Sequence, residues 1–520
     1  MWDERVGVSG LRGWLVLPGV TVMGLPAWGA SDAGAQQLGN DCDARSFRVI
    51  QSRQMAVGQR VTWISMPDVV CPAGVEIFAD SAVVWEATGR TEFIGGFRYR
   101  DVERDLQSVN ADYFQREGRL LAMGRVRIRS LDDEMEVRGD TVRLFEGQGG
   151  AGDDRLLATG HPAYARVRPA GASGGSEPTA PYEVTGLSLR FEGERFLYAD
   201  REVEVIRYPL HARTQALSFD RTSGTLLLAG DARVESGDMQ FEGSTINLTL
   251  PDDQLTSMII RENSHLTSPD LDLTGKEIQI QFEDGGIRHL LAINHLTDPA
   301  GAVDAPQAQG GVGGDGAETV SERDAPRPRA LADDFLLTAD SIEVQAPGGV
   351  LETVLAYGRA RGESRQPTAA EDRSGSEGIA AAVDTTVMGD GLEMLDRVLG
   401  RDWIEGDTIV ASFIPAGTAQ GEDPEVDEAP GYVLDRLVAV GGARTLYRSP
   451  PDTVPADSAA QSLSSSEWAI SYLVADQIIL TLLEGQVRHV LAEGAVAGLQ
   501  LEPEEEPAEA DETLAPTVDP

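Results

Sequence analysis

The chain has 520 residues, 41% of them hydrophobic, and sets 85 Asp and Glu against 43 Lys and Arg, a formal charge of -42 with a pI near 4.4. Such acidity argues against nucleic acid as a partner, since phosphate binding needs Lys and Arg to displace counterions. Length alone would suggest several ordinary domains, but a unit of about thirty residues recurs along most of the chain, and repeat arrays grow by stacking unit on unit.

In chain order, Arg5 and Arg12 lead into an apolar stretch from Trp14 to Trp28, with small-residue sites at Ala27-Trp-Gly29 and Ala33-Gly-Ala35. Residues 1–35 read as a secretory signal peptide, a short membrane anchor being the other reading. No other apolar run approaches the roughly twenty residues that a membrane helix needs, so a soluble exported chain is expected. Cys42 and Cys71 follow, the full cysteine complement. An even count in an exported chain favours a disulfide, with two free thiols as the alternative. The bond would close a loop of about thirty residues and stabilise by roughly 3 to 4 kcal/mol. Neither cysteine has a nearby His or a Cys-x-x-Cys companion, which argues against metal or redox chemistry.

The repeat opens on a small residue and Asp, as at Asp80, Asp112, Asp140, Asp340, Asp407 and Asp476; copies at Glu242-Gly-Ser244 and Thr274-Gly-Lys276 lack the Asp. One Asp per unit at a strand entrance reads as a turn cap rather than a carboxylate array. The repeat closes on a small residue and a turn former: Leu121-Ala-Met-Gly124, Leu157-Ala-Thr-Gly160, Leu291-Ala-Ile-Asn294, Leu355-Ala-Tyr-Gly358, Val438-Ala-Val-Gly441 and Leu491-Ala-Glu-Gly494. Gly and Asn share the last slot because both tolerate positive φ, which is the conformation expected there.

Between these marks apolar and polar residues alternate with the period of a strand. The alternation puts Val126, Ile128, Val203, Val205, Ile246, Leu248, Leu250, Ile278, Ile280 and Phe282 on an inner face, and Arg125, Arg127 and Arg129 in water. An antiparallel sheet with one wet face has this pattern. A first block of repeats occupies 36–297. Residues 298–334, rich in Gly, Ala, Pro and Asp, read as a disordered linker. A second block with inserted linkers spans 335–501, and 502–520 is an acidic, Pro-rich, disordered tail. Polar inserts at Gly147 to Asp154, Arg168 to Pro181 and Ala416 to Pro430 read as loop tips.

No catalytic constellation emerges, so no enzyme and no cofactor are expected. The six histidines have no metal-ligand spacing, and His289 and His489 recur after Arg288 and Arg488 as repetition alone would produce. Gly171-Ala-Ser-Gly-Gly175 matches the letters of a nucleophile elbow but lacks the strand and helix that such an elbow requires.

The segments Asn110-Ala-Asp-Tyr-Phe-Gln-Arg-Glu-Gly-Arg-Leu-Leu-Ala-Met-Gly-Arg-Val-Arg-Ile128 and Thr222-Ser-Gly-Thr-Leu-Leu-Leu-Ala-Gly-Asp-Ala-Arg-Val234 resemble the OstA/LptA-like family of periplasmic lipopolysaccharide-transport proteins. The likeness extends from about Val75 to Leu501, broken by the linkers. It implies an all-β, elongated, open β-jellyroll of stacked repeats in the periplasm, with a groove that shelters lipopolysaccharide acyl chains and passes them towards the outer membrane. The implied lipid-binding residues are Val126, Ile128, Val203, Val205, Ile246, Leu248, Ile278, Ile280 and Phe282. The implied partners are lipopolysaccharide, other envelope lipid-transport proteins meeting edge strands, and further copies joined head to tail. Unlike a single-module member, this chain is long, linker-rich and acidic, so an anionic headgroup would need local cations such as Arg98, Arg100, Arg125 and Arg127. The rival expectation is an exported structural β-solenoid with a closed core that mediates protein interactions at the cell envelope.

Overall fold

The computed structural model describes residues 43–56, 59–71, 74–131, 135–145, 155–168, 180–251, 254–269, 271–296, 327–332, 335–364, 402–415, 432–449, 469–483 and 486–501. The predicted signal peptide, Cys42 with its disulfide, and the acidic tail lie outside them. Among the described residues there is no α-helix; the architecture is all-β and jellyroll-like, built from long consecutive antiparallel strands.

The strands run β1 (Asp43–Ala56), β2 (Gln59–Cys71), β3 (Val75–Phe78), β4 (Ser81–Trp85), β5 (Arg90–Arg100), β6 (Arg104–Phe114), β7 (Arg119–Ser130), β8 (Glu136–Phe145) and β9 (Arg155–Val167). Next come β10 (Tyr182–Glu192), β11 (Phe196–Arg207), β12 (Leu210–Asp220), β13 (Thr225–Ser236), β14 (Met239–Thr249), β15 (Ser257–Thr267), β16 (Asp272–Glu283) and β17 (Gly286–Ile293). The last are β18 (Arg329–Ala332), β19 (Phe335–Thr338), β20 (Ser341–Gln345), β21 (Thr353–Ser364), β22 (Trp403–Pro415), β23 (Tyr432–Ser449), β24 (Ala469–Leu483), β25 (Gln486–Glu493) and β26 (Ala497–Leu501).

Two compact units share them. The N-terminal unit is Met1–Gly237 with Asn247–Gln254, and the C-terminal unit is Asp238–Ile246 with Leu255–Pro520. Within the first, β5 to β13 pair each with the next in antiparallel register. Within the second, β16 pairs with both β17 and β18, and β17 pairs with β20. The ladder therefore continues from before residues 298–334 to after them, and strand β18 lies inside the stretch expected to be linker. The four residues of Arg329-Ala-Leu-Ala332, with Ala330 buried, are too few to stand out from the surrounding Gly, Ala and Pro composition.

Most ladders are interrupted near the strand centre. Register shifts fall between Ile94 and Phe97, Met123 and Val126, Arg213 and Ala216, Tyr357 and Ala360, and Val440 and Ala443. A bulge bends its strand and increases the local twist, so each long strand becomes two arms. The repeat motif marks that bend. Gly230, at φ +84°, is followed by Asp231, also left-handed, and an L side chain at Gly230 would meet Gln215. In other copies the opening Asp covers the glycine of the following strand: Asp340 faces Gly358, Asp407 faces Gly441 and Asp476 faces Gly494. These carboxylates hold the bend, since Asp476 Oδ2 accepts the Ala495 N–H at 3.1 Å and Asp340 accepts Arg359 Nη2 at 2.7 Å. Elsewhere another side chain covers the glycine, Val109 over Gly124 and Gln215 over Gly230, and Asp112 of the first of these copies pairs with Arg90 at 3.0 Å instead.

The positive-φ expectation fails at two closing slots, because Gly160 and Asn294 lie outside the left-handed region. Conversely, Arg201 with Glu202 and Glu262 with Asn263 make the left-handed step without any glycine. Buried hydroxyls serve the bends as well: Thr214 Oγ1 donates to the Ala229 carbonyl at 2.8 Å and Ser264 Oγ to that of Ile260 at 2.9 Å.

Candidate functional site

The candidate site is the interior between the strand arms. In-register pairing carries Tyr182, at the start of β10, through β11 to Leu210 at the start of β12. Yet the Tyr182 ring packs on Phe219, nine residues beyond Leu210, with centroids 5.0 Å apart. An extended strand would put those positions about 30 Å apart. The bulge between Arg213 and Ala216 must therefore fold β12 so far that one arm lies over the other. The two arms form leaves facing each other across an apolar interior. In the C-terminal unit Phe241 and Phe282 meet edge to face at 6.4 Å.

All nine residues expected to line a groove point inward and are buried: Val126, Ile128, Val203 and Val205 on one arm of β7 and β11, Ile246 and Leu248 on β14, and Ile278, Ile280 and Phe282 on β16. Phe282, the most accessible of them, is 9% exposed. The interior is thus lined by aliphatic and aromatic groups and closed to solvent along these strands. Buried charges in the described residues are ion-paired or hydrogen-bonded, as with Asp112 to Arg90 at 3.0 Å and Glu277 to Arg261 at 2.9 Å.

The arginines expected to meet an anionic headgroup do not face this interior. Arg98, Arg100 and Arg125 are exposed on the outer face, while Arg127 and Arg138 converge on Glu136. Burial pushes the Glu136 carboxyl up, but the bonds and charges of Arg138 and Arg127 outweigh it and hold the group at about 2, against an ordinary 4.5. Histidines join neighbouring strands through carboxylates. His211 bridges Glu204 at 2.8 Å and Glu235 at 3.5 Å, His265 meets Asp272 at 3.0 Å, and His289 meets Glu343 at 3.0 Å. The Glu204 carboxyl lies below its ordinary range because His211 and then Arg213 donate to it. Among the described residues no group of three or more His, Cys, Asp or Glu is arranged to hold a metal ion.

Among the described residues, the last strands of the C-terminal unit carry exposed apolar side chains. Strands β25 and β26 pair with the two arms of β24 and, among the described residues, with no other strand. Every residue of β26 is exposed, including Leu499 at 59% and Leu501 at 53%, and Leu491 and Val496 stand beside them in solvent. Sequence reasoning passed over this cluster, and over Tyr182, Phe219 and Arg221 in the N-terminal unit. The Leu-x-Leu of β26 is a detectable signal. Arg221 sits in an Asp-Arg-Thr-Ser-Gly turn that reads as ordinary solvated loop.

No family model matches the chain, and no curated protein matches it. Among solved structures it is similar to LptH, described as the LptA homologous periplasmic component of the lipopolysaccharide transport device from Pseudomonas aeruginosa. The identity is 17%, the match covers 24% of this chain and 81% of that one, and the TM-score is 0.21. A TM-score of that size is too low to bear on ligand or mechanism.

Proposed function

We propose that the chain is a non-catalytic periplasmic scaffold that holds lipopolysaccharide acyl chains between the leaves of its folded strands and passes them towards the outer membrane. The observation that carries this reading is the inward apolar face of the strands in each unit, with all nine expected positions buried. Its sequence counterpart is the likeness of the repeats to the OstA/LptA-like units. Burying acyl chain there returns about 0.8 kcal/mol per methylene, less the leaf-to-leaf contact it displaces, so loading requires the leaves to part. Strand edges on β25 and β26 that have no further partner among the described residues, together with their exposed leucines, support contact with an envelope partner or a further copy of this chain through that edge.

A second reading has its own support. The closed interior favours an exported structural β-scaffold whose role is protein contact. One experiment separates them: a photocrosslinking amino acid at Ile128 or Ile280 in the cell envelope, followed by lipid mass spectrometry. The lipid reading expects a lipid A-type adduct at both positions. Adducts to this chain alone, with no lipid co-purifying, would establish the closed scaffold instead.

A further inference from the structure

Histidine bridges between neighbouring strands recur in both units, but His211 differs from the others. Leu210 and Ala212 beside it are buried inward, which puts His211 on the outer face of β12. Its Nε2 lies 2.8 Å from Glu204 of β11 and its Nδ1 3.5 Å from Glu235 of β13, so both ring nitrogens face carboxylates, one on each side. By contrast, His265 meets Asp272 and Thr267 through Nε2 alone, and His289 meets Glu343 in the same way. Strand register explains the arrangement: His211 stands opposite Ile206 on β11 and Glu235 on β13, while Glu204 stands opposite Arg213. The other charges beside the ring are Arg213, whose Nε and Nη2 reach the same Glu204 oxygen at 3.3 Å, and Arg233, opposite Arg213 on β13. Among the described residues Glu235 is partnered by His211 alone.

The proton count of the ring decides what this bridge can do. A neutral imidazole has one N–H, and when Nε2 donates it to Glu204 the Nδ1 lone pair is left facing the Glu235 carboxylate; only the charged ring presents an N–H to both. Arg213 keeps Glu204 partnered in either state, so the change falls on the side of β13. Charge-assisted contacts are the stronger ones. A bridge that uses the proton is therefore tightened by acid, and it slackens as pH rises through the interval between about 5 and 8 in which imidazole changes charge and glutamate ordinarily stays ionised. We propose that His211 is a proton-operated tie: the charged ring joins Glu204, His211 and Glu235 into one bridge across β11, β12 and β13, and the neutral ring releases β13 from it. The arms so joined carry Val203, Val205, Ala212 and Val234 on their inward side. The proton thus sets how firmly one wall of the N-terminal interior is held, whatever that interior contains.

The test is hydrogen exchange of the full chain, read by mass spectrometry at about pH 5.5 and about pH 8 and corrected for the intrinsic effect of pH on exchange. Residues 104–130, which hold no histidine, serve as the internal reference. In the unaltered chain 210–213 and 232–236 are expected to be protected about two- to fivefold more in acid than at the higher pH, the ratio that a partly exposed ion pair supplies. Two variants should lose that difference for separate reasons. His211→Gln has no ring to titrate. In Glu235→Gln the carboxamide N–H can donate to Nδ1 of the neutral ring, so the tie persists at about pH 8 and protection there rises to the acid level of the unaltered chain. A pH difference in the unaltered chain no larger than that of 104–130 overturns the tie, and so does one that survives in either variant. No lipid enters the measurement, so its outcome is separate from that of the lipid-holding reading.

Discussion

Strands β12 and β13 in the N-terminal unit and β25 and β26 in the C-terminal unit carry the same kind of repeat, Leu226-Leu-Leu-Ala-Gly230 in one and Val490-Leu-Ala-Glu-Gly494 in the other. In the first, Leu226 and Leu228 are fully buried; in the second, Val490 is half-buried and Leu491 is exposed. The difference is position in the stack. Leu226 and Leu228 lie on β13, in register with Phe219 and Leu217 of β12, which has β11 on its other side, whereas β25 and β26 pair with β24 alone among the described residues. In a repeat array, burial belongs to the neighbours as much as to the unit. Charge divides along the same line. The N-terminal unit has 27 Lys and Arg against 35 Asp and Glu, and the C-terminal unit 16 against 50. The acidity that dominates the composition is therefore largely a property of one unit.

Five measurements break or sharpen this contrast. The largest effect is expected from Phe219→Ala, which empties the seam between the leaves and should cost about 3 to 5 kcal/mol in denaturant unfolding of the N-terminal unit. A cost below about 1 kcal/mol would mean that the leaves are not packed as described. Next, Gly230→Ala forces a left-handed alanine against Gln215 and is expected to cost about 1 to 3 kcal/mol. The matched Gly494→Ala should cost less despite its contact with Asp476, because the end layer opens locally at low free energy. Equal costs would contradict an unsupported end.

The third concerns pH. Because the Glu136 carboxyl sits at about 2 in the folded chain and at 4.5 without its partners, its contribution is complete above pH 4.5 and disappears as pH falls towards 2. Glu136→Gln is expected to lower stability at neutral pH and to flatten the acid limb of the stability profile over that interval, read by thermal melts at a series of pH values. An acid limb that is the same in both proteins would refute the role. Fourth, Glu202→Gly relieves a left-handed non-glycine residue at a strand bend and is expected to stabilise by about 1 kcal/mol, seen as a raised denaturant midpoint. The smallest effect belongs to Leu499→Ala on the exposed end strand. Its stability change should stay within about 0.5 kcal/mol, while any association of the chain through that edge, followed by sedimentation, weakens.

Period-two alternation was enough to name the inward residues, since Val126, Ile128, Val203, Val205, Ile246, Leu248, Ile278, Ile280 and Phe282 are all buried, and a strand offers each side chain one of two faces. The recurring Asp and Gly also told of a repeated local event, which proves to be a bend inside the strand rather than the entrance turn that the spacing suggested. Strand β18 escaped notice because four residues are too short a window to show a period, and Gly160 and Asn294 because a slot in a repeat does not oblige its occupant to use every conformation open to it.

The all-β character, the inner face and the repeating bend are thus local properties, written in alternation and in small residues at fixed places. How far each bend closes is not local. It brings Arg221 to the carbonyl of Arg168, 53 positions away in the chain, and Tyr182 onto Phe219, and it leaves Leu499 and Leu501 without cover. Those outcomes depend on which strand lies alongside and which leaf folds over, and contacts of that range leave no periodic trace along the sequence.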